Sequence, residues 1–201
     1  MLKLKIIGDC REQQLIELLT EINWQKFHGV CESLGNDLND PQWRFLKAVV
    51  FERGIASYSQ GKLVYVGNEM QGCDFIVPSL SDLKIEMKYV SNCLYGTAKI
   101  PKLKAMCTGI TLLNSKGTNK HLNLPDSYAD YLMIVDMKGA AIISKHTLRQ
   151  YVTSNGDSLS ASIPTSELTI VCTPSLCHYE KKELNLKAKI VKLIDSELAE
   201  F

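Results

Sequence analysis

The sequence predicts an α/β (α+β) protein with a central mixed β-sheet flanked by helices. Three observations lead there. The first third has apolar residues at helical spacing, the middle alternates at strand spacing, and a continuous apolar run, Tyr131-Leu132-Met133-Ile134-Val135, follows. Helices, then strands, then mixed elements pack most simply as a sheet with helices laid against it. The 201 residues suffice for one domain with its own core. Hydrophobic residues are 45% and charged residues 22%, which excludes a mostly disordered chain.

The elements follow in order. Asp9 and Glu12 have capping-box spacing, and Leu15, Leu18, Leu19 and Ile22 form an i, i+3, i+4, i+7 stripe. Residues 35–41 read as a loop that ends with Asp40 as N-cap and Pro41 at the first helical position. The helix after it carries Phe45, Leu46, Val49 and Val50 and is expected to run to about Ile55. Residues 62–66, 73–77 and 82–90 are β-rich and bounded by Gly or Pro, and read as an antiparallel meander. A short helix is expected from Pro101 to Cys107, a strand from Ile110 to Leu113, and a polar loop from Ser115 to Pro125. The run at 131–135 is a strand buried on both faces. Asp136 to Gly139 turns it into Ala140 to Ile143, and Ser144 caps a short helix with Leu148, Tyr151 and Val152. Asn155-Gly156-Asp157 opens a loop, Leu168 to Val171 is a strand, and the stretch from Leu184 onward ends as a helix. A single domain over 1–201 is expected, with a helical N-terminal segment at about 9–56 and a C-terminal strand and helix at about 165–201.

Composition narrows the function. The net charge is +1, and the 23 basic residues comprise 19 Lys and four Arg. A balanced total still permits a local phosphate-binding patch, but reading of guanine by Arg falls to those four alone. No apolar run approaches the roughly 20 residues of a membrane-spanning helix, so no membrane is expected. The N-terminus lacks the apolar stretch of a secretory signal, which suggests a cytoplasmic protein. Seven cysteines, odd in number and irregular in spacing, read as reduced thiols packed as small hydrophobes. Cys172, Cys177 and His178 lack a second ligand pair at zinc-finger spacing. No phosphate-cradling Gly-rich motif is present, so ATP is not expected. The four histidines show no pairing with Ser or Cys that would suggest a hydrolytic triad.

Chemistry concentrates between Asp74 and Lys88. On a strand, Glu86 and Lys88 share one face while Ile85, Met87 and Tyr89 share the other. If the strands at 73–77 and 82–90 form a hairpin, Asp74 lies beside Glu86. Adjacent carboxylates repel unless a cation sits between them, and two carboxylates with water and a phosphate oxygen suit Mg²⁺. About one Glu-x-Lys is expected by chance, so context must decide. The rival Asp82-Leu83-Lys84 begins in a turn, Asp136-Met137-Lys138 begins a hairpin turn, and Glu180-Lys181-Lys182 reads as solvated surface. The alternative for Glu86 and Lys88 themselves is the solvated face of an edge strand.

The pattern Asp74-x11-Glu86-Met87-Lys88, on two consecutive strands behind a helix, resembles the PD-(D/E)XK nucleases, which include most type II restriction endonucleases. Cys73 stands where that motif has proline. The resemblance covers roughly residues 41–145, as helix, three strands, helix and two more strands, which would be the catalytic core. It implies metal binding by Asp74 and Glu86 and a catalytic Lys88. It also implies an acid from the helix after Pro41, for which Glu52 is the candidate, since Glu52 falls at the edge of that helix's apolar face. The alternative for Glu52 is a flanking pair with Arg53, Lys47 or solvent; Glu69 sits in a turn context. Lys99, Lys102 and Lys104, just past the motif strand, would neutralise DNA phosphates, or form an ordinary charged face. Asn114, Lys116, Asn119 and Lys120, in a polar loop with His121, have donors suited to base edges, or belong to an idle surface loop.

The resulting expectation is a Mg²⁺-dependent, sequence-specific endonuclease of type II restriction class that cuts double-stranded DNA. A palindromic site would call for a homodimer. The competitors are a nickase or heterodimer subunit, a junction resolvase or repair nuclease of the same superfamily, and a DNA-binding or regulatory protein without hydrolytic activity.

Overall fold

Continuous apolarity over Tyr131–Val135 requires cover on both faces, and the chain supplies it with helices on one side and a second sheet on the other. The computed structural model describes residues 10–34, 41–67, 72–90, 106–114, 123–136, 139–155 and 158–172. The expectations for Asp9, residues 35–40 and the C-terminal helix lie outside them, as do Cys177 and His178.

Three helices come first: α1 (Cys10–Thr20), α2 (Trp24–Leu34) and α3 (Pro41–Tyr58). The Asn23 side chain accepts from the Lys26 N–H at 3.1 Å and caps α2. The Trp24 indole N–H donates to the Leu19 carbonyl at 2.8 Å and ties α2 to the end of α1. The helix predicted after Pro41 runs one turn past Ile55. Among its described side chains Phe51 and Ile55 are buried, whereas Val49, placed in the stripe by spacing, is exposed. The face is set by what α3 packs against: Phe51 meets Phe27 of α2, with ring centroids 5.7 Å apart.

The meander is as predicted. β1 (Val64–Tyr65), β2 (Phe75–Val77) and β3 (Leu83–Tyr89) pair antiparallel in sequence order. Ser81 and Asp82, with φ of +57° and +52°, make the left-handed turn into β3. The Arg11 guanidinium donates to the Leu80 carbonyl from α1 and anchors this turn. β5 (Tyr131–Val135) then joins β3 in the sheet's one parallel pairing, with Glu86 opposite Leu132 and Met87 opposite Met133. β6 (Ala140–Ser144) and β9 (Thr169–Cys172) complete the order β1-β2-β3-β5-β6-β9. The Asp136 to Gly139 turn forms as expected, with the Gly139 N–H donating to Asp136 Oδ1 at 2.8 Å.

Elsewhere the sequence expectations need correction. Met106 and Cys107, predicted to end a helix, begin β4 (Met106–Asn114). Residues 101–105 lie outside the described segments. Ser144 does cap α4 (Lys145–Leu148), accepting from the Thr147 N–H, but Val152 opens a strand. The loop predicted at Asn155 joins β7 (Val152–Asn155) to β8 (Ser158–Pro164), whose last rung pairs Asn155 with Ser158. β8 lies between β4 and β7 in a separate three-stranded antiparallel sheet. Most of the connection in which the resemblance places a helix, residues 91–105 and 115–122, lies outside the described residues; its described part carries β4.

Two cores result. Leu15, Leu19, Phe27, Phe51, Ile55, Phe75, Ile85, Met87, Met133 and Val135 fill the space between helices and large sheet. Leu132, Ile134, Ala141 and Ile143, on the opposite face, pack on Ile110 and Leu112 of β4 and Leu159, Ala161 and Ile163 of β8. No helix among the described residues is long and apolar enough to cross a membrane.

Phe51 is fully buried and also lies 4.6 Å from the Tyr89 ring, centroid to centroid. Phe51→Ala is therefore expected to lower the unfolding free energy by about 3–5 kcal/mol, measured by urea denaturation. A loss under 1 kcal/mol would show that α3 does not rely on this contact.

Candidate active site

β3 presents two unlike faces because side chains alternate along it. Ile85 and Met87 enter the helix-side core. Glu86 and Lys88 therefore project toward the second sheet, on the face of Leu132 and Ile134. β3 is an interior strand with neighbours on both sides, and Glu86 is only 6% exposed. The solvated edge strand is thereby excluded. Glu86 and Lys88 form an ion pair on this face, and the Lys88 side chain remains 30% exposed.

Asp74, at the entrance to β2, grips β3 on either side of Glu86. Its N–H donates to the Ile85 carbonyl at 2.9 Å, and its Oδ2 accepts from the Met87 N–H at 2.7 Å. The hairpin thus brings Asp74 beside Glu86, as the spacing required. Next to it the Cys73 thiol is buried, donates to the Phe75 carbonyl at 3.1 Å, and has its pKa raised by burial. It packs as an inert small side chain.

Glu52 arrives from α3. Burial, then the charge of Asp74 and, more weakly, that of Glu86, push its pKa from 4.5 up to about 7; Tyr65 and Lys88 oppose the rise. The Tyr65 hydroxyl hydrogen-bonds the Glu52 carboxylate, and burial and the Glu52 charge raise the phenol's own pKa. Gly67 makes room for this hydroxyl: at φ +56°, a Cβ there would lie 2.9 Å from Tyr65 Oη. The Arg53 guanidinium lies over the Tyr65 ring, 5.5 Å from its centroid. Glu52 thus feels the charges of Asp74 and Glu86.

Burial raises the Asp74 pKa against the Met87 amide and Lys88, which lower it. Burial also raises that of Glu86; Lys88 opposes and Asp74 adds to the rise. Three carboxylates share this region with the ammonium of Lys88, so full ionisation leaves excess negative charge in a poorly solvated place. Such a cluster can accept a cation or hold a proton near neutral pH. Among the described residues no three His, Cys, Asp or Glu side chains are arranged to enclose a metal ion. The protein's contribution to a cation would thus be the Asp74–Glu86 pair, an oxygen donor set that suits Mg²⁺ completed by water and phosphate oxygens.

The rival tripeptides that begin at Asp82 and Asp136 fall elsewhere, and Glu180-Lys181-Lys182 lies outside the described residues. Asp82 occupies the exposed left-handed turn, and Asp136 is committed to its hairpin turn. Asn114 ends β4 opposite Ser158. Lys99, Lys102, Lys104, Lys116, Asn119 and Lys120, expected to meet DNA, lie outside the described residues, as does Glu69. Sequence reasoning missed Tyr65, although its place on a Gly-bounded strand was available as a signal. Comparisons with family models, with curated proteins and with solved structures find no match.

The raised pKa of Glu52 has a definite sign in stability. Between 4.5 and about 7 the folded protein holds a proton that the unfolded chain has released, so stability falls as pH rises through that window. Glu52→Gln is expected to melt higher than the parent at pH 8 in EDTA and level with it near pH 4.5, by thermal unfolding. A pH-independent difference would place Glu52 in solvent.

Proposed function

We propose that this protein is a Mg²⁺-dependent, sequence-specific endonuclease of type II restriction class that acts on double-stranded DNA as a homodimer. One observation supports this above the others: Asp74, Glu86 and Lys88 converge on the buried face of an interior strand, with Glu52 drawn in from α3. A charged set there costs stability, and such costs are concentrated at functional sites. The mixed sheet, with its meander behind α3 and β5 parallel to β3, supports this reading.

Asp74 and Glu86 would hold the cation. The Met87 amide fixes the Asp74 carboxylate in rotation, so the pair is ordered before any ligand arrives. Lys88, partly exposed beside Glu86, is placed to offset charge on the phosphate and to orient the attacking water. Glu52, with a pKa of about 7, can take up or release a proton at working pH. A bound Mg²⁺ would supply Lewis acidity toward the phosphate and the water. Hydrolysis forms a bond from water oxygen to phosphorus and breaks one P–O ester bond; the attacking water releases a proton to solvent, and the leaving oxygen takes one up. A two-fold protein would place two such sites on the strands of a palindrome.

Cleavage of duplex DNA should require Mg²⁺ or Mn²⁺, with Ca²⁺ supporting binding but not cutting. Undiminished cleavage in excess EDTA would remove the cation from this proposal.

Lys88→Ala should reduce single-turnover cleavage by on the order of 10²-fold or more while leaving affinity in Ca²⁺ nearly intact. Lys84→Ala, in the rival tripeptide, should stay within a few-fold of the parent. Equal rates for both variants would show that the chemistry lies elsewhere.

A further inference from the structure

Tyr128 is among the most deeply buried side chains, 1% exposed, and no group among the described residues hydrogen-bonds its Oη. Tyrosine is chosen over phenylalanine in a core when its hydroxyl has something to bind. Its backbone is held from several sides. Its N–H donates to the Pro125 carbonyl at 3.1 Å, its carbonyl accepts from the Lys145 ammonium at 2.8 Å, and the next residue's N–H donates to the Gly72 carbonyl at 2.9 Å. Gly72, with φ +71°, lies against the ring, and a Cβ there would come within 3.1 Å of it. The ring is therefore pressed on the segment that leads into Asp74. It also belongs to the core cluster of Leu132, and Leu132 is the register partner of Glu86, so the ring lies on the acids' side of the sheet. Burial raises the phenol's pKa, and the charges of Glu86 and Asp74 raise it further. The hydroxyl thus keeps its proton and acts as a donor.

We infer that Tyr128 is a positioning residue whose Oη donates a hydrogen bond to a water in the shell of a divalent cation at Asp74 and Glu86. Tyr128 would do so from a buried position, whereas Lys88 is partly exposed. The inference rests on the nuclease reading for the identity of the cation, but its test needs no DNA.

Mn²⁺ alone is the probe, titrated calorimetrically into the full chain and into Tyr128→Phe, with thermal unfolding followed in EDTA. The parent should bind Mn²⁺. Tyr128→Phe should bind it about tenfold more weakly, as loss of an outer hydrogen bond to a metal site does. In EDTA it should melt at or above the parent's temperature, because an unpartnered buried hydroxyl has been removed. In an Asp74→Asn background the same change should have no further effect on Mn²⁺ affinity. Equal Mn²⁺ affinity of parent and Tyr128→Phe would overturn the inference and leave the nuclease reading standing. A variant that melts well below the parent would show that the hydroxyl serves the fold, and would equally overturn it. Absence of Mn²⁺ binding by the parent would remove both the cation site and the role given to Tyr128.

Discussion

Everything in this molecule turns on β3 having to be two things at once. One of its faces closes the helix-side core with Ile85 and Met87; the other carries Glu86 and Lys88 in the space beneath the second sheet. A carboxylate so placed has lost most of its water, and only nearby hydrogen bonds and opposite charge compensate it. Lys88 provides the charge, while Asp74 takes up the amide of Met87. The surrounding structure fixes these groups in turn. β2 and β5 flank the strand, Arg11 secures the turn before it, and Asp130 Oδ2 accepts from the Lys84 N–H at 2.9 Å beside the start of β5.

Three acids around one ammonium make a region that resists its own ionisation. The helix layer contributes to this as well as the sheet. Glu52 rides on α3 next to Phe51, so aromatic packing among Phe27, Phe51 and Tyr89 sets where the third carboxylate stands. Tyr65 then restrains it from β1. Such an arrangement trades stability for readiness, since groups held in an unfavourable state are already placed for a ligand that relieves them.

What could be read from the chain was what short-range chemistry dictates. A β-rich run bounded by Gly72 and Pro78 identified β2, alternation identified β3, and the continuous run identified β5. The Ser-x-x-Thr cap at Ser144 and the Asp136–Gly139 turn each depend on a few neighbouring residues. The pairing of Asp74 with Glu86 followed from the same local logic, because a short hairpin leaves little freedom of register. The failures are long-range. Met106 and Cys107 are strand because β8, some fifty residues on, provides the ladder for them. β8 itself carried a signal in the alternation of Leu159, Ala161 and Ile163, with a Gly-containing turn before it. Val49 was assigned to the buried face by spacing alone, but where α2 packs decides which stripe of α3 is covered. Tyr128 comes to the acids' side of the sheet through the parallel joining of β3 and β5, a placement that no window of sequence contains.

The double duty of β3 also limits how this chain can vary. Its side chains alternate with period two, so an insertion or deletion of one residue between Leu83 and Tyr89 would exchange its faces beyond that point. Met87 would then enter the acid cluster, and Lys88 the aromatic core around Phe51. Pairing with β2 on one side and β5 on the other leaves no free edge along which the strand could slide to recover. The segment can accept substitution, most easily at half-exposed Lys84, but not a change of length. Descendants of this sequence can lengthen only at the connections, so the spacing from Glu86 to Lys88 is fixed by the pleat itself.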